Sequence, residues 1–336
     1  MKVNVGIVGY GNLGKSVEKE ILKNKEFKLV AIFSRRTVTS PFSTPVCAYD
    51  EYKNFKNKID VMLLCGGSKS DIEEQAPEIC KYFDTINTFD THSKIALLKT
   101  NLNQIAKANN KRAIISVGWD PGLFSIIRSI FFAFSGKMPT TFWGKGMSLG
   151  HSDAIRRVDG VEDGVQFTVP CSEAITLAKR GKDLTSISLH SRDCYVVAEK
   201  NHKNIENQIK NIPNYFLGQP TKVTFVSRDT LNRLKRDFSH KGLIISRNFS
   251  AGKPEISMDF SVKMKSNPDF TAKIMCAYIH AVTNLKQENK TGSFTALDIP
   301  ISYLFSPSNK DNLLSSLCWH SLFTFLAKRD IIALFT

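Results

Sequence analysis

The chain has 336 residues, 42% hydrophobic and 23% charged, and a formal net charge of +15. This length suits about two domains with buried cores, and the composition excludes a disordered or fibrous protein. No apolar run reaches the roughly 18 residues that span a bilayer, and the N-terminus lacks a signal-peptide pattern, so we expect a cytoplasmic protein without a membrane partner.

The positive charge favours anionic partners in general. Nucleic acid is not the expected partner, because Lys and Arg are spread along the chain without a long basic tract or the spacing of a known DNA-binding motif. The seven cysteines are odd in number and form no C-x-x-C, so neither a disulfide framework nor a metal site is expected.

The first predicted elements are a strand over Lys2–Val8 and a helix over Lys15–Asn24. A G-x-G-x-x-G motif lies between them, and in this strand-turn-helix setting it predicts a dinucleotide-binding site. Gly9 allows the tight turn, Gly11 lets the backbone approach the pyrophosphate, and Gly14 lets the helix pack on the strand. The expected contacts are Gly9, Tyr10, Gly11, Asn12, Leu13 and Gly14.

The second predicted strand, Phe27–Phe33, ends in Ser34, Arg35 and Arg36. NAD-binding proteins place an acidic residue at this point, about 20 positions after the glycines, to bind the ribose 2′-hydroxyl. A hydroxyl and two guanidinium groups suit a 2′-phosphate instead, so the sequence predicts NADP as the cofactor. The alternative interpretation is a solvated basic turn.

Three further strands are predicted, at Asp60–Cys65, Thr85–Phe89 and Ala113–Val117, with helical stretches between them. This alternation predicts an α/β fold with a doubly wound parallel sheet, whose ligands gather at the carboxyl ends of the strands. Further cofactor contacts are therefore expected at Cys65, Gly66, Gly67, Ser68, Thr88, Phe89, Asp90, Val117, Gly118, Trp119, Asp120 and Pro121.

After Gly122 the pattern predicts an α+β domain with a mostly antiparallel sheet. A long helical pattern then lies within 267–289. The strand-like runs are Val165–Val169, Cys194–Ala198, Lys222–Val226 and Glu255–Met264.

Several segments make the chain resemble the meso-diaminopimelate dehydrogenases, from residue 2 to about residue 314. The Gly118-Trp119-Asp120-Pro121-Gly122 and Gly150-His151-Ser152-Asp153-Ala154 segments are particular to that family, whereas the glycine motif is widely shared. The other similar segments are 9–14, 33–36, 74–77, 141–144 and 267–271. The segment 180–190 is shorter than in the family, and 230–252 is less similar.

The resemblance implies an NADP-dependent, reversible oxidative deamination of the D-centre of meso-2,6-diaminopimelate in lysine and cell-wall precursor supply. The products are L-2-amino-6-oxopimelate, ammonium and NADPH. It also implies a homodimer whose NADP-binding domain, 1–120, is completed by a C-terminal return at about 268–314. Residues 121–267 would form the substrate-binding and dimerisation domain, and 315–336 an atypical apolar tail.

By the same resemblance, Asp90 and Asp120 are the catalytic pair that holds the reacting amino group. Trp119 and Trp143 wall the pocket, and the other substrate contacts are Gly150, Thr168, Arg192, His240 and Asn267. The chemistry suits this substrate, because a carboxylate pair can bind an ammonium and relay a proton, and a guanidinium can bind a carboxylate through parallel hydrogen bonds.

Each of these residues also has a structural interpretation. Asp90 and Asp120 are suited to cap helices or to start turns. His240 on the surface, Arg192 at a strand edge and Trp143 in a core are the corresponding alternatives. His151 and Asp153 suit either a proton relay or a structural hydrogen bond, and the sequence leaves both open.

Two other functions stay open: an NADP-dependent dehydrogenase or reductase of another amino or hydroxy acid, and a non-catalytic NADP sensor. The presence of both Asp90 and Asp120 favours an enzyme. For the apolar segment 313–336, packing on the second domain, contact with a dimer partner and shallow membrane attachment are the alternatives.

Overall fold

The computed structural model describes residues 2–306 apart from 183, 185–187, 214 and 251–252. The described residues divide into two compact units: unit 1 comprises those up to Leu123 and those from Thr271 to Ser306, and unit 2 lies within Phe124–Phe270. The boundaries expected after 120 and after 267 lie within a few residues of these divisions. The expected apolar tail, 315–336, lies outside the described residues.

Unit 1 begins with alternating strands and helices that connect through short turns. In chain order they are β1 Val3–Val8, α1 Asn12–Lys23, β2 Phe27–Ser34, β3 Val46–Ala48, β4 Val61–Leu64, α2 Glu73–Cys80, β5 Asp84–Asn87, α3 Ile95–Ala108 and β6 Arg112–Ile114. Helix α1 begins three residues earlier than predicted, because the second half of the glycine motif already belongs to its first turn.

Unit 2 follows with helices packed around short strands. Its elements are α4 Leu123–Ser135, β7 Thr140–Trp143, β8 Gly146–Met147, α5 Leu149–Arg156, β9 Asp163–Pro170, α6 Ser172–Lys179, β10 His190–Val197, α7 His202–Lys210, β11 Thr221–Phe225, α8 Arg228–Leu234, β12 His240–Ser250 and β13 Lys253–Met264. The chain then returns to unit 1 through α9 Asn267–Gln287 and β14 Gly292–Phe294.

The sheet of unit 1 is parallel throughout, in the order β14-β6-β5-β4-β1-β2-β3. The strand order reverses between β1 and β4, which is the point where doubly wound sheets bind ligands. All four residues of β4 are buried, as expected for a strand covered on both faces by helices. The predicted α/β fold class is confirmed.

The expected mostly antiparallel character of unit 2 is confirmed, and its described strands are divided between two sheets. One has the order β11-β10-β9-β8 and includes a parallel pair, β10 with β11; the other, β13-β12-β7, is antiparallel. The four predicted runs all fall on strands, whereas β7, β8 and β12 were missed. Short strands such as Gly146–Met147 carry too little alternation to be recognised before their partners are known.

Among the described residues, no helix is both long enough and apolar enough to cross a membrane.

Candidate cofactor and substrate sites

The glycine motif of unit 1 forms the turn from β1 into α1. Gly9 has φ +91°, and a side chain there would lie 3.2 Å from the backbone of Cys65 and Gly66. A Cβ on Gly14 would collide with the carbonyl oxygen of Gly9, whereas nothing lies within 4 Å of a Cβ on Gly11. The backbone at Gly11 is therefore open to a ligand, and this geometry fits the roles predicted for the three glycines.

Several of the predicted cofactor residues have buried side chains. Tyr10 is 3% exposed, and Phe89 and Val117 are fully buried. A ligand at the strand ends can therefore meet these positions through their backbone, while their side chains pack in the core.

The turn after β2 carries two guanidinium groups. That of Arg35 forms an ion pair, and that of Arg36 has no partner in the described part of the chain. The Ser34 hydroxyl donates to the Arg36 carbonyl at 2.8 Å and accepts from the Arg36 N–H at 3.1 Å, which braces the turn. Arg35 forms an ion pair with Asp71, whose other carboxylate oxygen accepts from the Gly67 N–H at 2.9 Å. The Arg36 side chain is exposed and has no hydrogen bond or ion pair with any residue in the described part of the chain.

Asp71 is a residue of this site that the sequence did not reveal. It comes from the turn after β4, outside the segment where an acidic partner of the ribose is sought. Its contact with Arg35 depends on the parallel pairing that places the ends of β2 and β4 on one edge of the sheet.

Asp90 and Asp120 follow the adjacent parallel strands β5 and β6. The Asp90 N–H donates to Ser68 Oγ at 3.1 Å, which links the turns after β4 and β5. The side chain of Asn87, buried at the end of β5, accepts from the Phe89 N–H at 3.1 Å and from the Ser116 N–H at 3.4 Å. Asn87 was not predicted, and it ties together the loops that carry the two aspartates.

Asp90 does not occupy the cap position of the helix that follows it. Asp90 precedes the cap residue Thr91 of a short 3-10 helix, His92–Lys94. Asp120 lies in a turn closed by the Gly118 N–H donating to the Pro121 carbonyl at 2.8 Å, and α4 begins only at Leu123. Asp90 is exposed and Asp120 is half-buried, so both carboxyls reach the surface of unit 1.

In unit 2 the strand register brings the predicted substrate residues together. Arg192 lies opposite Thr168 in the β9–β10 pair, and its Nη1 donates to Thr168 Oγ1 at 3.2 Å. Gly146 lies opposite Thr168 on its other side, and a Cβ on Gly146 would collide with the ring of His240. Trp143 ends the neighbouring strand β7, where the Gly144 N–H donates to the Lys241 carbonyl at 2.8 Å.

The last two predicted substrate residues lie close to the same group. The Asn267 N–H donates to the carbonyl of Phe238, two residues before His240, at 2.8 Å. Gly150 lies at the start of α5, two residues after Ser148, whose N–H donates to the Gln166 carbonyl at 2.9 Å. Unit 2 therefore gathers residues that are separated by most of the domain's sequence.

His240 is buried rather than on the surface, and Arg192 is half-buried on an inner strand rather than at a sheet edge. Arg192 lies on β10 between two paired strands, and its Nε is buried without a hydrogen-bond partner in the described residues. Burial lowers the pKa of Arg192. Burial also lowers the pKa of His240, and this effect outweighs the hydrogen bond from His240 Nδ1 to the Lys241 carbonyl, which raises that pKa. A half-buried guanidinium with an unsatisfied Nε and no acidic partner in the described residues is suited to bind a carboxylate.

His190 belongs to this group but was not predicted. Its ring stacks on Trp143 with centroids 5.2 Å apart, and its Nε2 accepts the Trp143 N–H at 2.8 Å. Burial, together with the charge of Arg192, lowers the pKa of His190 to about 4, so the ring is neutral near pH 7. The available signal was its position two residues before Arg192, on the same face of a strand.

The contacts of His151 and Asp153 favour a structural role. His151 Nδ1 lies 2.8 Å from Ser148 Oγ, three residues away. The Asp153 carboxylate, 44% exposed, pairs with Arg157 at 2.6 Å and with Arg156 at 3.6 Å. Exposed ion pairs of this kind contribute little, typically about 0–1 kcal/mol.

Comparison with known proteins identifies the family. Residues 118–266 match the model of the diaminopimelic acid dehydrogenase C-terminal domain. The meso-diaminopimelate D-dehydrogenase of Ureibacillus thermosphaericus is 42% identical over 320 residues, which cover 93% of this chain and 98% of that protein. The chain belongs to the meso-diaminopimelate dehydrogenase family.

Solved structures agree with this assignment. The Corynebacterium glutamicum DAP dehydrogenase in complex with DAP is 40% identical, with a TM-score of 0.88, covering 94% of this chain and 98% of that one. An engineered D-amino acid dehydrogenase bound to NADP+ is 38% identical, with a TM-score of 0.85, covering 94% and 99%. The family resemblance stated from the sequence motifs is thus confirmed.

Proposed function

We propose that the chain catalyses the reversible, NADP-dependent oxidative deamination of the D-centre of meso-2,6-diaminopimelate. The observation that carries this proposal is the group around Arg192, a half-buried guanidinium with one hydroxyl contact, a buried and unsatisfied Nε and no acidic partner in the described residues. Such a group favours an anionic ligand, and a substrate carboxylate supplies one. Family membership narrows that ligand to diaminopimelate.

The residues after β2 support NADP over NAD. A dinucleotide with a 2′-phosphate needs cationic donors at this strand end, and Arg36 is exposed and unpaired in the described structure. Arg35 lies beside it, held by Asp71. No acidic residue occupies positions 34–36 to bind a ribose 2′-hydroxyl. The residues present therefore fit NADP.

NADP, held at the strand ends of unit 1, would supply the hydride acceptor for the D-carbon of the substrate. Asp120 and Asp90 hold the ammonium of that centre, and one of them takes up a proton as the amine becomes an imine. Water then replaces the nitrogen to give the 6-oxo product and ammonium. Trp119, next to Asp120, orients the D-carbon hydrogen of the substrate.

Arg192 and Thr168 bind a carboxylate of the substrate, and His240 and Asn267 bind its distant L-centre. His190 stays neutral and orients Trp143 through its ring stack and hydrogen bond. The side chains of unit 2 thereby select a long substrate with charged groups at both ends.

The apolar surface of α4 supports a homodimer. Of its thirteen residues, Phe124 and Ser135 are buried, whereas Phe132 is 47% and Phe134 70% exposed. An exposed apolar helix face of this kind favours an interface between subunits. The six described cysteines are free thiols, as expected in the reducing cytoplasm.

The direct test is NADP reduction by the purified full chain with meso-, LL- and DD-diaminopimelate. We expect turnover with the meso isomer, none with LL, and a much lower rate with DD because its second centre does not match the L-centre contacts. Turnover with simple D-amino acids at the meso rate would indicate a broader dehydrogenase. Tight NADP binding without any turnover would indicate a sensor.

A further inference from the structure

A fully buried carboxylate, that of Glu18, lies in α1 just after the glycine motif. One of its oxygens accepts a hydrogen bond from the Tyr10 hydroxyl, and the other accepts from Ser40 Oγ at 2.6 Å and from the Thr44 hydroxyl. Within the described residues no lysine, arginine or histidine pairs with it. A buried carboxylate without a cation is costly, so its retention calls for a role beyond packing.

The three hydroxyl donors come from two loops of the cofactor site. Tyr10 lies between Gly9 and Gly11 of the glycine motif, and its pKa is raised to about 12 by burial and by the bond to Glu18, so it remains a donor. Ser40 and Thr44 lie in the loop that leads from the 34–36 turn into β3. One carboxylate therefore joins the turn expected to bind the pyrophosphate to the 37–45 loop, which directly follows the turn expected to bind the 2′-phosphate.

Apart from their contacts with Glu18, the glycine turn and the 37–45 loop are fixed by different hydrogen bonds. The glycine turn is fixed by the Gly9 N–H donating to the Phe33 carbonyl at 2.9 Å and by the first turn of α1. In the 37–45 loop, Ser40 also accepts from the Phe42 N–H at 3.0 Å, so its hydroxyl organises the loop around Glu18. Loss of Glu18 would therefore loosen the 2′-phosphate side more than the pyrophosphate side.

We propose that Glu18 is a positioning residue that fixes the 37–45 loop, and with it the adjoining 34–36 turn, relative to the glycine turn. It thereby sets the preference for NADP over NAD. This inference rests on the proposed placement of the 2′-phosphate at residues 34–36. Glu18 does not touch the cofactor; it acts through Tyr10, Ser40 and Thr44. Pre-ordering a binding loop strengthens binding by lowering the entropy lost when the ligand arrives.

The test measures the dissociation constants of NADPH and NADH by calorimetry on the full chain, independently of turnover. We expect Glu18→Leu to lower the NADPH-over-NADH preference about ten-fold, as expected for the loss of about 1.4 kcal/mol of selective binding. Glu18→Gln, which keeps an acceptor, should restore part of the preference. The double variant Ser40→Ala with Thr44→Val, which leaves Glu18 in place, should lower it too.

Asp84 offers a matched control. It is also a buried carboxylate of unit 1, but it pairs with Arg112 at 3.6 Å, both side chains being 6% exposed, at the amino end of β5. Asp84→Asn should lower the unfolding midpoint and leave the NADPH-over-NADH ratio unchanged. If Glu18→Leu lowers both affinities equally, or leaves the ratio unchanged, Glu18 has a structural role alone and the proposal is overturned.

If Glu18→Leu does not fold, the Ser40→Ala, Thr44→Val double variant tests the proposal. It removes the contact between Glu18 and the 37–45 loop through smaller changes. An unmodified chain that binds NADPH and NADH equally would overturn the phosphate placement and this inference together. Absence of turnover with meso-diaminopimelate would overturn the proposed reaction only, since the binding ratio is measured without substrate.

Discussion

The two units build their sites in different ways. In unit 1 the predicted cofactor residues come in short runs, each directly after a parallel strand, so the topology alone collects them at one edge of the sheet. In unit 2 the predicted substrate residues are spread from Trp143 to Asn267. They meet because of particular strand registers, such as Arg192 opposite Thr168.

We therefore expect unit 1 to bind the cofactor mainly through backbone atoms and unit 2 to bind the substrate mainly through side chains. Unit 1 presents open backbone at Gly11 and buries the side chains of Tyr10, Phe89 and Val117. Unit 2 presents functional side chains whose neighbours are polar or aromatic. We expect substitutions in unit 2 to change substrate affinity directly, whereas most substitutions in unit 1 act through loop geometry, with Asp120, Asp90 and the 34–36 turn as exceptions.

The largest expected effect concerns Asp120. Asp120→Asn keeps the size of the side chain but removes the charge that holds the substrate ammonium. We expect the turnover number to fall about 100-fold or more, in the range of lost acid–base catalysis, with NADP affinity unchanged. Steady-state kinetics and calorimetry measure the two quantities. Full activity in this variant would make Asp120 a turn former and nothing more.

The next effect lies in unit 2. Arg192→Lys keeps a positive charge but loses the planar fork, so we expect the KM for meso-diaminopimelate to rise roughly ten- to hundred-fold. The Kd for NADP should not change. Arg157→Lys, at an exposed arginine that pairs with Asp153, is the matched control and should leave both constants unchanged. An unaltered KM in Arg192→Lys would remove Arg192 from the substrate site.

A smaller effect distinguishes the two arginines after β2. Arg36→Ala should reduce the NADP-over-NAD preference roughly ten-fold, because it removes charge-assisted hydrogen bonds from an unpaired guanidinium. Arg35→Ala should reduce it only a few-fold, because Arg35 already shares its charge with Asp71. The ratio of kcat/KM for the two cofactors measures this. Equal efficiency with NAD and NADP in the unmodified protein would contradict the cofactor assignment itself.

The smallest effect concerns acid stability. The pKa of His190 is lowered from 6.5 to about 4 in the folded protein, so the folded state binds this proton less readily than the unfolded chain. The stability contributed by neutral His190 is therefore complete above about pH 6.5 and is lost as the pH falls toward 4. His190→Gln keeps an acceptor but cannot titrate.

We expect the acid-unfolding midpoint of His190→Gln to lie below that of the unmodified protein by less than about one pH unit. Circular dichroism between pH 7 and pH 3 measures it. An identical pH dependence in the two proteins would mean that His190 is protonated freely in the folded state.

The sequence predicted much of unit 1 because its signals are local. The glycine motif, the basic turn after β2 and the alternation of strands and helices are each contained in a few neighbouring residues. The sequence did not predict the roles of Asp71, Asn87 and Glu18. An acidic or amide residue in a turn or helix has no distinctive pattern until its partners are known. Their partners lie on other loops of the same sheet edge.

Unit 2 was predicted mainly through resemblance to a family. Its pattern did not distinguish one sheet from two, and β12, which begins at His240, was not recognised as a strand. His190 was missed although it lies only two positions from Arg192. Its role depends on the stack with Trp143, a residue 47 positions earlier in the chain.

The sequence by itself determined the dinucleotide-binding turn, the parallel sheet and the family, because strand-turn-helix signals and family motifs are contained in contiguous residues. The tertiary structure alone decided which polar side chains are buried and what they contact: Glu18 with three hydroxyls, Arg35 with Asp71, and Arg192 with Thr168. The physical reason is that burial and hydrogen-bond partners arise from long-range packing, which residue type and spacing along the chain do not encode.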